Sequence, residues 1–364
     1  MKKLFILMFA FLLVFGCDVF NTTFEDSEDA TMYEASTIVE AEIPTNLKVM
    51  SWNIKFGGAR IDFFFDGWGD EVLMDENVVI ENMQAIADYI NGFDPDIVLL
   101  QEIDIDSKRS AYVDQLQFLL DATNLNYGAY ASQWKADFVP SDGIGRMNSG
   151  NAIMSKWQIT DTERIALPLI EEQDGLTQYF YLRRNILKTK IQLDEEDIYV
   201  LNIHASAYST DGTKQEQINI FKAEIDELND VGTHFIAGGD FNAIPPNSVN
   251  TIGDNFPDRP ADLDEDFEVE DYDLTDMVAF YDDYFPAVSL ENIASQEEVD
   301  NYISDYYTHS IYIDLENNID WNRKLDYLFT NNTNGWIENS DITHQNTRQL
   351  SDHCPISVEM EVAR

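Results

Sequence analysis

Apolar residues from Leu47 onward recur in short runs that alternate with longer amphipathic stretches. Runs with a period of two, or with an unbroken apolar centre, predict strands, and apolar residues every three or four positions predict helices. The predicted strands are Leu47–Asn53, Asp96–Leu100, Asn151–Ser155, Arg183–Gln192, Ile198–His204, His234–Asp240, Lys324–Thr330 and Pro355–Val362. The predicted helices are Glu71–Asn91, Tyr112–Thr123 and Lys214–Asn229. Many strands with a few helices between them favour packed sheets with helices outside.

The first sixteen residues have the pattern of a secretion signal. Two lysines precede an unbroken apolar run from Leu4 to Phe15, which is too short for a comfortable membrane span. The run ends in VFGC, which resembles the bacterial lipobox, with Phe15 bulkier than the usual residue at its position. We therefore predict a lipoprotein signal peptide over residues 1–16 and a lipid on Cys17, which would hold the protein at the bacterial cell envelope. An uncleaved anchor and a buried N-terminal helix are the alternatives.

Two acidic segments flank or interrupt the predicted domain, which spans residues 47–364. Residues 17–46 are rich in Thr and Ser and show no helical or strand periodicity, so we predict an extended tether. Residues 243–322 are dominated by acids and are predicted to be a loop-rich insertion on the rim of the domain. Their carboxylates suit calcium, but the EF-hand order of ligands is missing, and a solvated acidic face is the favoured interpretation.

The net charge of the chain indicates which molecules it can bind. Lys and Arg total 22 against 68 Asp and Glu, which gives a net charge of -46. Such a surface repels polyanions at long range, so duplex nucleic acid is disfavoured as a partner without being excluded. Adaptation to a salty or extracellular medium explains the charge equally well. We expect a monomer that meets a phosphoester substrate and meets the membrane through its lipid anchor.

Polar residues follow or open the β-rich runs, and a strand end holds its side chain in a fixed place. Each residue alone has an ordinary explanation, because Asn and Asp often make turns and a single His is usually structural. As a set they combine carboxylates, amides and imidazoles, without a competing Ser elbow or Cys cluster. Hard oxygen ligands favour Mg²⁺ or Mn²⁺ over zinc, and Ca²⁺ is also compatible. The set comprises Asn53, Glu102, His204, Asp240, Asn242, Asp326, Asp352 and His353.

The order of these residues is similar to that of the endonuclease/exonuclease/phosphatase superfamily. The matching segments are SWNIKFGG, IVLLQEID, LNIHASA, GGDFNA, RKLDYLF and LSDHCPI, and they run from Leu47 to the C-terminus. The resemblance implies an α/β (α+β) fold, the deoxyribonuclease I-like four-layered α/β/β/α sandwich. It also implies metal-dependent hydrolysis of phosphoester bonds, as by a phosphodiesterase, nuclease or phosphatase.

The resemblance implies roles for the acidic and amide residues. Glu102 would be the main metal ligand, with Asn53 and Asp352 completing or supporting the shell. Asp240 would orient or deprotonate the attacking water, and Asn242 would hold the phosphate or the water.

It implies roles for the imidazoles and the arginines as well. His353 would contact the phosphoryl oxygen in the transition state, with Asp326 fixing its ring. His204 would bind a non-bridging oxygen or assist the leaving group. Arg183 and Arg184 would contact the substrate phosphate, since arginine is well shaped for bidentate contact. Salt bridges to the many acids account for this pair equally well.

Three functions remain open from the sequence. The first is hydrolysis of a phosphoester, with nucleic acid, phospholipid head groups, sugar or inositol phosphates and small phosphodiesters as candidate substrates. The second is a non-catalytic surface binding module that kept the fold, and the third is a calcium-binding adhesion module built on the acidic insertion. The presence of Glu102, Asp240 and His353 favours the first.

Overall fold

The computed structural model describes residues 23–64, 69–193, 197–207, 209, 211–246, 277–293, 305–310, 321 and 323–362. The predicted signal peptide, the predicted lipidation site at Cys17 and most of the acidic segment 243–322 lie outside these residues. None of the helices in the described part has the length and apolar composition needed to cross a membrane.

Fourteen strands within the described residues form two sheets of seven strands each. In chain order they are β1 (Ser27–Glu28), β2 (Thr31–Glu34), β3 (Asn46–Asn53), β4 (Ile97–Asp104), β5 (Tyr127–Val139), β6 (Gly145–Ser155), β7 (Ile159–Ala166), β8 (Asn185–Ile191), β9 (Ile198–His204), β10 (Phe235–Asp240), β11 (Phe285–Pro286), β12 (Asp326–Thr330), β13 (Ile342–Thr343) and β14 (Ile356–Glu361). The first sheet has the order β1-β7-β8-β9-β10-β12-β11, and the second has the order β13-β14-β3-β4-β6-β5-β2. Each sheet contains one parallel pair at its centre, β9–β10 in the first and β3–β4 in the second.

Helices cover the outer face of each sheet. In chain order the described helices are α1 (Glu76–Phe93), α2 (Gln115–Ala122), α3 (Gly175–Phe180), α4 (Thr213–Asp230), α5 (Val278–Asp283) and α6 (Leu290–Ile293). Helices α1 and α2 pack on the second sheet, and α4 and α5 pack on the first, each through a buried apolar cluster. A third cluster fills the space between the sheets, with Val49 and Leu99 from one sheet facing Val200 and Leu328 from the other. These four layers confirm the predicted α/β/β/α sandwich.

The alternation of side chains along the central strands explains this layering. In β3, Leu47 and Val49 face the partner sheet, whereas Met50 and Trp52 face the helices. All four are fully buried, because successive residues of a strand point to opposite faces and both faces are covered here. A strand buried on both faces is typical of a sheet placed between two layers.

The expectation of an extended tether over residues 17–46 is wrong for its described part. Strand β1 pairs with β7 at the edge of the first sheet, and β2 pairs with β5 at the edge of the second, so the segment joins both sheets. Tyr33 and Ala35 pack against the cluster beneath α2. Edge strands are held largely by backbone hydrogen bonds, which the apolar pattern of a sequence does not record.

The acidic segment 243–322 is likewise more than a rim of loops. Phe280 and Tyr284 are buried against α4, and β11 extends the first sheet by pairing with β12. Further along, His309 forms backbone bridges to Arg323 and His353. The acidic composition of the segment obscures a few apolar residues, and these pack its described part at residues 277–293 against the first sheet.

Candidate active site

The register of three neighbouring strands gathers the central residues of the site. Asp240 ends β10, where it lies level with His204 at the end of β9 and with Asp326 at the start of β12. The first pair is parallel and the second is antiparallel, so all three side chains reach the same edge of the sheet. The sequence motifs GGDFNA, LNIHASA and RKLDYLF therefore meet at one place.

Two glycines before Asp240 permit this close approach. A Cβ on Gly239 would lie 2.0 Å from the carbonyl oxygen of Ile203, and the residue has a φ of +132°. A Cβ on Gly238 would lie 2.3 Å from the carbonyl oxygen of Tyr327. Real Cβ atoms do not come this close to a backbone oxygen, so only glycine keeps the neighbouring strands in place.

His353 bridges two buried carboxylates. Its Nδ1 lies 2.9 Å from Asp326 Oδ2, and its Nε2 lies 3.5 Å from Asp240 Oδ2. Burial alone would lower the pKa of His353, but the charges of Asp326 and Asp240 raise it to about 10. For Asp240, burial is the largest effect and raises its pKa to about 7, with the His353 imidazolium acting against it. The ring is therefore a charged donor held by Asp326 and directed at Asp240.

His204 approaches the same carboxylates in a different state. Its Nε2 lies 3.5 Å from Asp240 Oδ2 and 3.9 Å from Glu102 Oε1. Burial, followed by the charges of Arg184 and His353, lowers the pKa of His204 well below its usual value. The contact is accordingly one between a neutral imidazole and carboxylates, whereas the His353 ring is charged.

Asn53 joins the second sheet to this group. The Nδ2 of Asn53 donates to Glu102 Oε1 and to Asp240 Oδ2, at 3.1 Å each, while its Oδ1 accepts from the Lys55 N–H at 3.0 Å. Glu102 lies at a break in the register of β4, between Leu100 and Ile103, with a φ of +55°. Such left-handed backbone in a residue with a side chain is characteristic of functional sites, and here it turns the carboxylate into the cavity.

A cavity of about 940 Å³, counting the part open to solvent, contains these groups. Of the two predicted arginines, Arg184 lines it and Arg183 does not. The Nη1 of Arg184 donates to Gln133 Oε1 at 3.1 Å, and its Nε has no hydrogen-bond partner among the described residues. Its buried guanidinium is thus available to an anion in the cavity. The lining also includes Glu102, His204, Asp240, Asn242, Asp352 and His353.

A comparison with family models agrees with this geometry. The model described as the Endonuclease/Exonuclease/phosphatase family matches residues 50–353, which is most of the chain. The chain belongs to the endonuclease/exonuclease/phosphatase family. Members of this family are commonly metal-dependent hydrolases of phosphoester bonds. No curated protein matches the sequence.

Solved structures of the family share the fold. An endonuclease/exonuclease/phosphatase from Beutenbergia cavernae DSM 12333 aligns with a TM-score of 0.56 and 18% identity, over 88% of this chain and 72% of that one. A family protein from Leptotrichia buccalis C-1013-b aligns with a TM-score of 0.50 and 17% identity, over 86% of this chain and 98% of that one. At these identities the likeness establishes the fold alone.

Asn242 lines the same cavity. Its φ is +48°, its backbone N–H donates to Asp240 Oδ1 at 2.9 Å, and its Nδ2 donates to the carbonyl oxygen of Ala205 at 3.1 Å. The buried ammonium of Lys214 holds its carbonyl oxygen at 2.8 Å. Asn242 therefore fixes the Asp240 carboxylate through its backbone.

Asp352 departs from the predicted arrangement. Its Oδ2 lies 3.1 Å from the Nζ of Lys55, and no contact among the described residues joins its side chain to Glu102 or Asn53. Burial favours the neutral acid, but Lys55 and then His353 hold the pKa of Asp352 below its usual range. The Asp352 carboxylate is therefore already neutralised by the ammonium of Lys55.

Two further residues of the site were not found from the sequence. The Asn202 Nδ2 donates to the carbonyl oxygens of Leu100 and Ala152, at 2.8 and 2.9 Å, and its Oδ1 accepts from Gln101 at 2.7 Å, so it ties the two sheets together beneath the site. The His309 ring packs against the His353 ring, with centroids 4.5 Å apart and the two planes tilted by 56°. Asn202 lies within β9, two residues before His204, and a polar side chain inside an apolar run is the signal in the sequence that points to it.

The donor set fits a divalent cation. One ligand atom each from Asp240, Asp326 and His353 lies within 4.8 Å of the others, and Asp326 Oδ1 is buried without a partner among the described residues. A protonated imidazole has no lone pair to offer, so we assign the ring to hydrogen bonding and not to ligation. Glu102 and Asp240, which share the Asn53 amide, are the better ligands, and their hard oxygens suit Mg²⁺ or Mn²⁺.

Proposed function

We propose that this protein is a divalent-metal-dependent hydrolase of phosphoester bonds at the bacterial cell envelope. The observation that carries the proposal is the buried chain Asp326–His353–Asp240, with Nδ1 and Nε2 of one ring directed at two different carboxylates. Family membership supports the same reaction class. The enzyme would act as a phosphodiesterase, a nuclease or a phosphatase.

Each residue of the site has a chemical task in this reaction. Asp240 is buried at the end of β10, where its carboxylate is placed to orient or deprotonate the attacking water. The charged ring of His353 donates to a phosphoryl oxygen, where negative charge develops. Asp326 keeps that ring charged and oriented. His204, which is neutral, offers one ring N–H to a non-bridging oxygen or to the leaving group.

Cations complete the site. Arg184 is placed to hold a phosphate oxygen, since its Nε has no partner in the described part of the chain. Glu102 and Asp240 would hold Mg²⁺ or Mn²⁺, with the Asn53 amide supporting both carboxylates. When bound, such an ion neutralises a phosphoryl oxygen and stabilises developing charge. The acidic balance of the chain, -46, favours small or singly charged esters over duplex nucleic acid.

The lipid anchor belongs to the same proposal and rests on the sequence around Cys17. Cys17 lies ten positions before Ser27, where β1 begins on the sheet edge. Ten extended residues span at most about 35 Å. A lipid on Cys17 would thus hold the catalytic domain closer to the membrane than a tether of residues 17–46 would allow.

The reaction is tested by turnover assays on the purified protein. Mg²⁺, Mn²⁺ and Ca²⁺ are supplied in turn, or removed with EDTA, with aryl phosphomonoesters, aryl phosphodiesters, DNA, RNA and sphingomyelin as substrates. We expect turnover of at least one ester class, lost in EDTA and in the variants Asp240→Asn and His353→Ala. Asp282→Asn, which changes an exposed acid of α5, is the matched control. Wild-type rates in either site variant would contradict the assignment.

The anchor is tested separately by metabolic labelling with palmitate. We expect label on the wild-type protein and its recovery in the membrane fraction, with both lost in Cys17→Ala. Label retained in that variant would exclude Cys17 as the lipidated residue and would leave the proposed reaction untouched.

A further inference from the structure

Lys55 lies directly behind the acidic end of the site, in a turn with unusual backbone. It opens the 3-10 turn Lys55–Gly57, in which all three residues have positive φ, +44° for Lys55, +46° for Phe56 and +66° for Gly57. Hydrogen bonds fix this turn from both sides. Gln115 donates to the Phe56 carbonyl oxygen and Asn82 donates to the Gly57 carbonyl oxygen. A backbone so constrained sends the Lys55 side chain in one direction.

That direction is toward Asp352. The two charged atoms are 3.1 Å apart, and the side chains are only 5% and 11% exposed, so water does little to screen the pair. The other Asp352 oxygen, Oδ1, accepts from Ser351 Oγ at 3.2 Å. Both oxygens of this carboxylate therefore have partners from the protein itself.

Glu102 and Asp240 present the opposite case. They share one amide donor from Asn53 and one neutral ring, His204, and the charged His353 ring lies 3.5 Å from Asp240 Oδ2, whereas within the described residues neither acid forms an ion pair with a lysine or an arginine. Two neighbouring carboxylates with one imidazolium between them keep a net negative charge that attracts a divalent ion, whereas a single carboxylate paired with an ammonium does not. A second divalent ion at Asp352 would have to displace a buried ammonium or lie beside it.

We propose that Lys55 takes the place of a second metal ion at Asp352, so that the protein binds one divalent cation, at Glu102 and Asp240. The backbone N–H of the same lysine holds Asn53 Oδ1 at 3.0 Å, which connects the fixed cation to the residue bridging both ligands. Lys55 is thus a positioning residue that sets the number of metal ions. The inference rests on the proposed metal-dependent function and goes beyond it in assigning the stoichiometry and its cause.

Mn²⁺ titration of the full chain, followed by the electron paramagnetic resonance of the free ion, tests the proposal. We expect one ion per wild-type chain and one per Lys55→Arg chain, since arginine keeps the charge. Lys55→Met leaves Asp352 buried and unpaired, and its stoichiometry is expected to rise to two. Circular dichroism and thermal unfolding verify that the variants are folded.

The charge-neutral double variant Lys55→Met/Asp352→Asn keeps the test decisive if the single variant does not fold. We expect it to bind one ion with an affinity within about tenfold of the wild type, and a larger loss would identify Asp352 as a ligand and overturn the proposal. Two ions on the wild type, or one ion on a folded Lys55→Met protein, would also overturn it while leaving the metal-dependent function in place. Absence of any bound Mn²⁺ would remove that function and this inference together.

Discussion

Replacing Asp326 by Asn keeps the shape of the side chain and an oxygen that accepts from His353, but it removes the charge. The two interacting atoms are 2.9 Å apart and fully buried. At an effective dielectric constant of about 20, unit charges at that separation attract each other by about 6 kcal/mol. The pKa of His353 stands at about 10 against the ordinary 6.5, and that difference corresponds to about 5 kcal/mol in favour of the charged ring. We expect Asp326→Asn to lower this pKa by about three units, to near 7.

The charge of the ring is measured directly by nuclear magnetic resonance. Imidazole carbon shifts are followed against pH in metal-free protein with EDTA, and His353→Gln identifies the resonance. In the wild type the ring is charged below its pKa and should titrate near pH 10. In Asp326→Asn the same resonance should titrate near neutral pH. Turnover by the variant should fall by about 10² to 10⁴, with its alkaline limb moved to lower pH.

Two results would refute this reasoning. One is a wild-type His353 resonance that titrates near pH 6.5, which would mean that the carboxylates do not hold the ring charged. The other is an identical midpoint in wild type and Asp326→Asn, which would mean that Asp326 is not the cause. The resonance of His344, a buried ring in a different layer, should be unchanged between the two proteins and serves as the internal control.

Three further changes have expected outcomes. Asn202→Leu removes a side-chain donor from two backbone carbonyls and one of the two acceptors of the Gln101 amide, whose other acceptor is Ser51 Oγ at 3.3 Å. The variant should lose about 3 kcal/mol of the free energy of unfolding in urea titrations, and a loss below about 1 kcal/mol would contradict the role assigned to Asn202. Arg184→Met should lower kcat/KM by about 10- to 100-fold. Arg183→Met changes a residue outside the cavity and should keep kcat/KM within about threefold of the wild type. Equal losses in the two variants would contradict the assignment of Arg184 as the arginine that contacts the substrate. Burial lowers the pKa of His344 to about 4, so the unfolded chain takes up a proton below pH 6.5 that the folded protein does not. The contribution of His344 to stability is therefore complete above pH 6.5 and declines toward pH 4, by about 2 kcal/mol between pH 7 and pH 5. His344→Gln should reduce the decline measured in urea titrations at the two values by that amount, and an unchanged decline would contradict the assignment.

The central elements could be predicted because burial on both faces gives them an unmistakable pattern. Strand β9 coincides with the predicted Ile198–His204, and α4 differs from the predicted Lys214–Asn229 by one residue at each end. Strand β7 was missed because the side chain buried in its middle is Arg164, whose guanidinium donates to the Ser132 and Arg183 carbonyl oxygens. A charged residue at an inward position breaks the alternation on which the prediction depends.

Within the site, the residues of the sequence motifs could be predicted, whereas the contacts that depend on packing between distant segments could not. Asp240, His204 and Asp326 were found because strand ends must place them, and the register brings them level. The pairing of Asp352 with Lys55 was not found, because it depends on a turn whose backbone is held by residues elsewhere in the chain. His309 was missed for a related reason, since it returns to the site from a segment whose acidic composition predicted a solvated rim.

The placement of the basic residues links the charge of the chain to its proposed substrates. The chain has 22 Lys and Arg residues against 68 Asp and Glu residues. Among the described residues the buried cations are Lys55, Arg109, Arg164, Arg184, Lys214, Arg323 and Lys324. The long-range field outside the protein follows the net charge of -46 and is negative, whereas the cavity wall contains guanidinium groups. Repulsion grows with the charge of the approaching molecule, so a polyanion is repelled far more strongly than an ester with one charge, and salt weakens the difference. Discrimination among phosphoesters is therefore expected to arise during approach, before any contact with Asp240 or His353 is made.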